Sequence, residues 1–538
     1  MSAVTTGTPN PGAAAARRAP APMVRVMRWL PVFAFLVFAL TGGGRVVGSD
    51  EYTMLELARA MLRGSVEVPE GATVPGPGGV HYTKNAAGQA VIALPLVAAA
   101  EGAAALAGLD EGRRRLAVRF VVSFFNAAVT ALALAVFYVL ARMLGAGGGA
   151  ALGGALLLGF TTPLWPYAKS FMAEPLQALG LLFTLMGATA ARKLPKGEGI
   201  AALGILLAVS AKLSMLPLAL GCLAPMWGLP WRRFLIPLQG LALALAGHLV
   251  YNWARFGTPL ESGYGAQASA SAFTTPLLVG LYGLLLSSGK GVMWFAPALW
   301  LAPIGWKRMR RDPAPPAPDA RTPLLWHPPG AGRVASWGIA AAWVVGLLLY
   351  ARFQHWAGDG SFGPRYLIPL LPLAFLPVTL ALERASRARK AAIAVLAAAG
   401  LFVQIGGVSI YFGAQMREAG DYPYSLPLEH PRFMSDSHFN PAFSPIGGHW
   451  RMLIRNAGEH LAGRAPRLDL ADPGTSRLGV DEADQARLLH ALDFWWAYLT
   501  YAGFPAAAVA AAALPLLVLA GFAASRLRHG YLLEARGP

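Results

Sequence analysis

The sequence predicts an all-α protein that crosses a membrane many times. Hydrophobic residues make up 55% of the 538-residue chain and charged residues only 13%, about half of the ~25% usual for soluble domains. The mean hydropathy is +0.48. Apolar runs of about 18 residues or more recur along the chain, which is the length that spans a bilayer as a helix. This composition excludes a disordered chain, a coiled coil and an ordinary soluble enzyme.

The formal net charge of +18 also fits a membrane protein. Its basic residues lie mostly in short segments between apolar runs, which is the orientation signal of a protein of the bacterial inner membrane. We therefore expect a lipid bilayer, and no nucleic acid, as a partner. The single cysteine, Cys222, excludes an intramolecular disulfide and a thiolate metal site.

Twelve apolar runs are the candidate spans. They cover 29–48, 90–108, 116–141, 150–166, 175–191, 199–228, 234–254, 291–306, 334–351, 366–382, 391–411 and 495–523. The first is preceded by a Pro-rich basic segment, 1–28, that we interpret as a disordered cytoplasmic tail. A second Pro-rich segment divides the rest. The predicted parts are a first membrane region (29–306), a cytoplasmic linker (307–333), further spans (334–411), an outside segment (412–494), and a last span with a basic cytoplasmic tail (495–538).

The basic loops orient the second half of the chain. Four clusters are placed inside, at 232–233, 307–311, 384–390 and 526–528, which leaves 255–290, 352–365 and 412–494 outside. In the first half the charge count is nearly tied, and it depends on whether 90–108 crosses.

Lys212 decides between these two topologies. It lies near the middle of the run 199–228, where an ammonium group would cost roughly 2.5–3.5 kcal/mol or more. Two half-helices that meet near Lys212 would let its charge reach the outer face. We therefore expect about twelve crossings, with 90–108 in the outer leaflet or only partly inserted.

The first outside loop begins with an amphipathic segment, GSDEYTMLELARAMLRG, whose apolar residues recur at helical spacing. Asp50 and Glu51 stand at its N-terminal end, where the helix dipole favours negative charge. They could simply cap this surface helix. Alternatively, a carboxylate at the outer interface could act as a general base on a hydroxyl group.

Other charged residues also stand beside the apolar runs. Lys84 and Asn85 lie among small residues before 90–108, and an ammonium group there suits a phosphate, although a tolerated loop lysine is equally consistent. Glu174 precedes Pro175 and could be only a helix N-terminal acid. Lys290 and Arg365 each precede a span. Arg365 could be a snorkelling anchor, and the SSGKG segment around Lys290 lacks the glycine and hydroxyl spacing of a P-loop.

Five motifs in order resemble the bacterial membrane glycosyltransferases of the GT-C superfamily. They are GSDEYTMLELARAMLRG, HYTKNAAGQAVIALPLV, YNWARFGTPLESGYG, LYGLLLSSGKGVMWFAPALW and GSFGPRYLIPLLP. The most similar group is the family 39-like, phospholipid-carrier-dependent enzymes, which are similar to protein O-mannosyltransferases and aminoarabinose transferases. The resemblance implies a GT-C fold with surface helices in the first outside loop, and it places the catalytic part in 29–306.

The resemblance also implies roles for individual residues. Asp50, with Glu51 beside it, matches the family's general base, and Glu174 matches its second-loop acid, although many members have Asp there. Lys84, Lys290 and Arg365 match basic positions that would face the phosphate of a polyprenyl-phosphate sugar donor. The motifs also contain the residues expected to contact substrate: Tyr82, Asn85, Tyr264 and Tyr366. Many relatives have His–Gly after the lysine, where this chain has Asn85–Ala86.

The implied reaction is an inverting transfer of a sugar to a hydroxyl on a glycan, lipid or protein acceptor, at the periplasmic side. No residue set demands a metal, although a divalent ion is possible because some relatives bind one. A transporter or flippase for a lipid or sugar is the main alternative. A glycan ligase or polymerase of the same superfamily and a noncatalytic scaffold are others.

Overall fold

The computed structural model describes residues 22–71, 73–194, 196–311, 330–358, 360–418, 438–468 and 482–535. These residues are predominantly helical, and the sheet found among them has two short antiparallel strands, β1 (Val74–Pro75) and β2 (His81–Tyr82). The all-α prediction is confirmed.

The helices before the linker number fourteen within the described residues. They are α1 (Pro22–Leu40), α2 (Ser49–Met61), α3 (Gly88–Leu106), α4 (Glu111–Val122), α5 (Phe125–Met143), α6 (Gly148–Phe160), α7 (Leu164–Ala168), α8 (Glu174–Ala190), α9 (Gly197–Ala211), α10 (Leu216–Gly221), α11 (Leu235–Phe256), α12 (Leu277–Leu286), α13 (Val292–Phe295) and α14 (Ala302–Arg310). Helix α1 begins inside the predicted tail, because 22–28 continue the helix of the first span. The rest of the tail, 1–21, lies outside the described residues.

Seven further helices follow. They are α15 (Ala331–Arg352), α16 (Leu371–Leu382), α17 (Arg387–Ser409), α18 (Phe412–Glu418), α19 (Pro445–Leu461), α20 (Trp495–Tyr501) and α21 (Ala506–Ala535). Most of the linker, 312–329, and the stretches 419–437 and 469–481 of the outside segment lie outside the described residues.

Eight helical segments of the described chain are long and apolar enough to span a bilayer. They are Met23–Leu40, Gly88–Leu106, Glu111–Met143, Trp231–Phe256, Ala331–Arg352, Arg365–Leu382, Arg387–Ser409 and Ala506–Leu533. Shorter apolar helices, among them α6 and α9, lie between them. The chain is therefore a multi-pass membrane protein, and the figure of about twelve crossings stays a prediction.

The long run 199–228 is broken where its lysine lies. Helix α9 ends at Ala211, Lys212 is extended with φ −163° and ψ 125°, and a 3₁₀ turn leads into α10. The predicted split at Lys212 is confirmed. The run 291–306, in contrast, was expected to be one span and is divided into α13, a 3₁₀ helix that begins at Pro297, and α14. Pro297 lacks the N–H that a continuous α-helix needs there.

Glycines bring α8 and α9 into backbone contact. A Cβ on Gly187 would lie 2.2 Å from the nitrogen of Ala201, and one on Gly204 would lie 2.3 Å from the nitrogen of Thr184. Small residues permit such close approach between membrane helices. Because the two helices are antiparallel neighbours, the start of α8 at Glu174 and the end of α9 before Lys212 come to the same end of the bundle.

The basic loops gather at the opposite end, which we call the basic end. Arg308 donates to the backbone oxygen of Glu383 at 2.7 Å, and the Glu383 carboxylate accepts from the backbone of Gly147. Arg233 pairs with Glu198, and Arg192 donates to the oxygen of Pro225 at 2.8 Å. Loops from both halves that were predicted to be inside therefore lie together.

The segment formed by α3 and α4 begins and ends at the same end of the bundle. Its first residue packs against Ser210, beside the break at Lys212: a Cβ on Gly88 would lie 2.4 Å from the Ser210 carbonyl carbon. Phe124, just after α4, packs against Gly42, just after α1, because a Cβ there would lie 3.2 Å from the Phe124 ring. The chain therefore leaves and re-enters the bundle at the same end. This supports the outer-leaflet placement of 90–108, which stays a prediction.

Candidate active site

A cavity of about 790 Å³ opens at the end opposite the basic end, which we call the cavity end. Its walls come from the connections that follow α1, α9, α11, α15 and α17 and from those that precede α8 and α16. Polar side chains at helix ends are therefore brought together here from almost the whole chain.

Arg365 joins two carboxylates at the centre of this cavity. Its Nη2 donates to Oδ2 of Asp50 at 2.7 Å, and its Nε donates to Oε1 of Glu174 at 2.6 Å. Asp50 stands in the first turn of α2 and Glu174 is the first residue of α8, so both lie at the positive end of a helix dipole. Both acids therefore lie in the first turn of a helix, and both also line the cavity.

Asp50 is held in its ionised form. Burial raises its pKa, but the charges of Arg365 and Lys84 outweigh that effect and lower the pKa of Asp50 to about 2. The Asn85 side chain donates to Oδ1 of Asp50 at 3.4 Å and to the Thr53 hydroxyl at 3.2 Å. Asn85 thus orients the carboxylate.

Glu174 keeps one acceptor available. Its Oε2 is buried and accepts no hydrogen bond from any residue the structure describes. A buried acceptor without a donor is costly, so a ligand that donates a hydroxyl hydrogen there would be stabilised.

Positive charge exceeds negative charge among the described residues that line the cavity. Asp50 and Glu174 are the carboxylates, and five side chains are cationic, which leaves a surplus of three positive charges with histidines neutral. The five are Lys84, Lys212, Arg255, Arg365 and Arg417.

In the described part of the chain, four of these five cations have no carboxylate within ion-pair distance, and Arg365 is the exception. Lys84 forms no ion pair there, and Lys212 lies with its ammonium 4.5 Å from the ring centre of Tyr366. Tyr366 in turn stacks on Tyr350 at 4.7 Å between ring centres. Arg255, in contrast, is engaged with the backbone oxygen of Thr83 at 2.5 Å. The two lysines are therefore the cations best placed to receive an anionic ligand.

Seven of the ten predicted site residues line the cavity. They are Asp50, Lys84, Asn85, Glu174, Tyr264, Arg365 and Tyr366. Burial raises the pKa of Tyr264 to about 12, so its hydroxyl keeps its proton and can donate a hydrogen bond.

The other three lie outside the described cavity lining. Lys290 is buried and donates from Nζ to the backbone oxygen of Ser361 at 2.6 Å, so it supports the loop before Arg365. Tyr82 is buried against Phe256, with 5.6 Å between ring centres. For both residues the geometry indicates packing rather than contact with substrate.

Glu51, the third of these, points away from the cavity into the protein. Its carboxylate bonds to the backbone of Phe171 and Val47, and burial raises its pKa to about 7. A carboxyl group in that position connects the loop after α1 to the loop before α8. The geometry therefore indicates a structural role for Glu51 rather than the predicted catalytic one.

The variant Glu51→Gln should lose less stability than the wild type as the pH rises. Because the folded-state pKa of Glu51 is above the ordinary value, its contribution is full below about pH 4.5 and is lost as the pH rises through about 7. The shift corresponds to about 3 kcal/mol at most. We expect the thermal midpoint of the wild type to fall more between pH 5 and 8.5 than that of the variant. Parallel curves for the two proteins would contradict the burial of an ionisable Glu51.

The sequence analysis singled out Lys212 without placing it in the site. An ionisable group inside an apolar run is a signal of a functional position, and both Lys212 and His248, which lies inside the run 234–254, line the cavity. Arg255, Gln177 and Arg417 also line it, and nothing in their local sequence distinguishes them from packing residues or anchors.

The outside segment contributes one wall of the cavity through Arg417, Leu488 and Leu489. Arg455 of α19 holds this wall, since it pairs with Glu418 at 2.5 Å and donates to the backbone oxygen of Leu489 at 2.8 Å.

A buried cluster around Asp493 anchors the same segment. Lys169 and Arg45 pair with its carboxylate at 2.8 and 2.9 Å. Lys169 does not pair with Glu174, the nearest acid in the sequence. The loop before α8 turns Lys169 toward the end of α17, where it also donates to the backbone oxygen of Val408 at 2.7 Å.

The described residues contain no group of three or more His, Cys, Asp or Glu side chains that could hold a metal ion. Asp50 and Glu174 are instead neutralised by an arginine.

The fold and the site define a multi-pass helical membrane protein with one charged cavity at the end opposite its basic loops. A scan against protein-family models finds no match, and a search of curated proteins finds none either. Two solved structures resemble the chain, both of ArnT from Cupriavidus metallidurans, one bound to undecaprenyl phosphate and one in the apo state.

The first covers 96% of this chain and 78% of its own, with 16% identity and a TM-score of 0.46. The second covers 97% and 76%, with 15% identity and a TM-score of 0.44.

Proposed function

We propose that the protein transfers a sugar from a polyprenyl-phosphate-linked donor to a hydroxyl group at the periplasmic face of the bacterial inner membrane. One observation carries the proposal: an ionised carboxylate, Asp50, lies in a membrane-protein cavity with a surplus of positive charge. A base and a phosphate-binding surface are the two elements that such a transfer needs.

The reaction is a single displacement with inversion. The acceptor oxygen forms a bond to the anomeric carbon, and its proton passes to the Asp50 carboxylate. The bond from that carbon to the phosphate oxygen breaks, and its electron pair leaves with the lipid phosphate. Because the phosphate changes from a diester to a monoester, its negative charge grows, and nearby cations stabilise the transition state more than the bound donor.

The cavity residues divide between these tasks. Lys84 and Lys212 receive the donor phosphate, since neither pairs with a carboxylate within the described residues. Arg365 keeps Asp50 ionised and oriented. Glu174 and the Tyr264 hydroxyl line the same space and can bond to sugar or acceptor hydroxyls.

The basic loops supply the orientation. The described residues at the basic end include Arg192, Arg233 and Arg308, and basic loops stay in the cytoplasm. The cavity then faces the periplasm, where a lipid-linked donor replaces a nucleotide sugar.

A transporter for a lipid or sugar is the second candidate, and the break at Lys212 favours it. Discontinuous helices with an ionisable residue at the break are typical of transporter binding sites. The position of the carboxylates opposes it, because Asp50 and Glu174 both lie in first turns of helices at the cavity end rather than mid-span.

Purified protein in liposomes containing a radiolabelled polyprenyl-phosphate sugar distinguishes the two candidates. A transferase releases polyprenyl phosphate and labels an added envelope extract, and mass spectrometry then identifies the acceptor. A transporter moves labelled material across the bilayer with the donor intact. The proposed transfer would be refuted if the donor stayed intact with every acceptor tested while labelled material crossed the bilayer.

Lys84→Gln and Lys212→Gln should each lower kcat about 10–100-fold, because a hydrogen bond to a charged group contributes about 1.5–3 kcal/mol. The loss should be larger in kcat than in donor binding, since the phosphate gains charge in the transition state. Lys196→Gln removes the same charge from an exposed position at the basic end and serves as the control. Equal activity of Lys84→Gln, Lys212→Gln and the control would remove the two lysines from the phosphate site.

A further inference from the structure

A second cavity lies at the basic end, between the end of α14 and the start of α17. Its volume is about 620 Å³. Its lining consists of Pro303, Ile304, Lys307, Arg308, Arg311 and Arg389. Four of these six residues are cationic and none is acidic, so the two helices converge on a site suited to negative charge.

The neighbouring acid does not neutralise this site. Glu383 lies next to it, but it offers Arg308 only its backbone oxygen, and its carboxylate is bonded to the backbone of Gly147. Lys307, Arg311 and Arg389 form no ion pair with any residue the structure describes. Four cations brought together without a carboxylate repel one another, so an anionic ligand would relieve that repulsion.

The surroundings of the cavity place it at the depth of lipid headgroups. Trp337 is 58% exposed and Arg310 lies 5.3 Å from its ring centre. Trp300, one turn before the cavity, is 52% exposed. Exposed tryptophans with nearby basic residues mark the boundary between hydrocarbon and water.

The lining has an apolar part and a charged part, as a phospholipid does. Ile304 is 45% exposed and lies next to Pro303, on the bilayer side of the basic residues. An acyl chain would lie against Ile304, while the phosphate would lie among the cations. A soluble anion would use only the second of these features.

We infer that this cavity binds the phosphate of an anionic glycerophospholipid of the cytoplasmic leaflet. Arg308, Arg389, Lys307 and Arg311 surround the phosphate, and basic pockets between membrane helices on the cytoplasmic side are suited to such headgroups. The bound lipid would tie α14 to α17 across the boundary between the two halves of the chain. The site is independent of sugar transfer at the other end.

The test uses the full chain in nanodiscs and needs no activity assay. The variant Lys307→Gln/Arg311→Gln/Arg389→Gln removes three lining charges. The control, Arg310→Gln/Arg387→Gln/Lys390→Gln, removes three charges from the same two helices outside the cavity lining. Native mass spectrometry counts retained phosphatidylglycerol, with zwitterionic phosphatidylcholine, whose net charge is zero, as the comparison and inorganic phosphate as a competitor.

We expect the wild type and the control to retain phosphatidylglycerol in preference to phosphatidylcholine. In the lining variant this preference should be reduced at least about tenfold. Equal loss in both triple variants would overturn the site in favour of general surface charge. Displacement by millimolar inorganic phosphate would show a site for free anions instead. Arg311→Gln alone, at an exposed position, repeats the test if the triple variant does not fold.

Discussion

Asp50→Asn is expected to lower the rate of sugar transfer by about 10²–10⁴-fold, the usual contribution of a positioned general base. Asparagine keeps the size of the side chain and can still accept a hydrogen bond from Arg365, but it cannot take the acceptor proton. Because Arg365 also pairs with Glu174 at 2.6 Å, the arginine remains held, and the protein should still insert and fold.

The measurement is kcat at saturating donor in liposomes, with Asp110→Asn as the control. Asp110 is an acid at the start of another helix, α4, and its side chain is 60% exposed. Since the pKa of Asp50 is about 2, the wild-type rate should not fall through protonation of this base between pH 8 and 5. Transfer by Asp50→Asn at the wild-type rate would exclude Asp50 as the base.

The central residues of the site could be predicted because each stands beside an apolar run. Asp50 follows the first run, Glu174 precedes the fifth and Arg365 precedes the tenth. Alternating crossings bring such positions to one end of a helical bundle. The hydropathy pattern thus predicts which face of the membrane each of these residues lies at. The break at Lys212 could be predicted because a charge in the hydrocarbon region is costly.

The sequence does not determine which of these residues meet. Lys290 and Arg365 look alike as basic residues before an apolar run, yet Lys290 is turned to Ser361, 71 positions away, while Arg365 reaches Asp50, 315 positions away. Rotation of the helices and the path of the loops decide such pairings. Lys169 shows the same limit, because the nearest acid in sequence is Glu174 and the acid it meets is Asp493.

Arg365→Gln should be the most destabilising single change in the cavity. It leaves Asp50 and Glu174 buried without their cation, and removing one partner of a buried ion pair costs about 3–5 kcal/mol. The side-chain exposures of Asp50 and Glu174, 15% and 3%, show that water cannot replace the arginine at Glu174. The pKa of Asp50 should rise with the loss of its main counter-charge.

A second change distinguishes lost pairing from lost packing. Adding Glu174→Gln to Arg365→Gln removes the stranded buried charge, so the double variant should be more stable than Arg365→Gln alone, although Glu174→Gln in the wild-type background should destabilise. Such opposite effects define coupling between two contacting residues. Thermal midpoints from size-exclusion of detergent-solubilised protein measure all four forms. If the two changes were simply additive, Arg365 would not be the counter-charge that allows two carboxylates to lie in one membrane cavity.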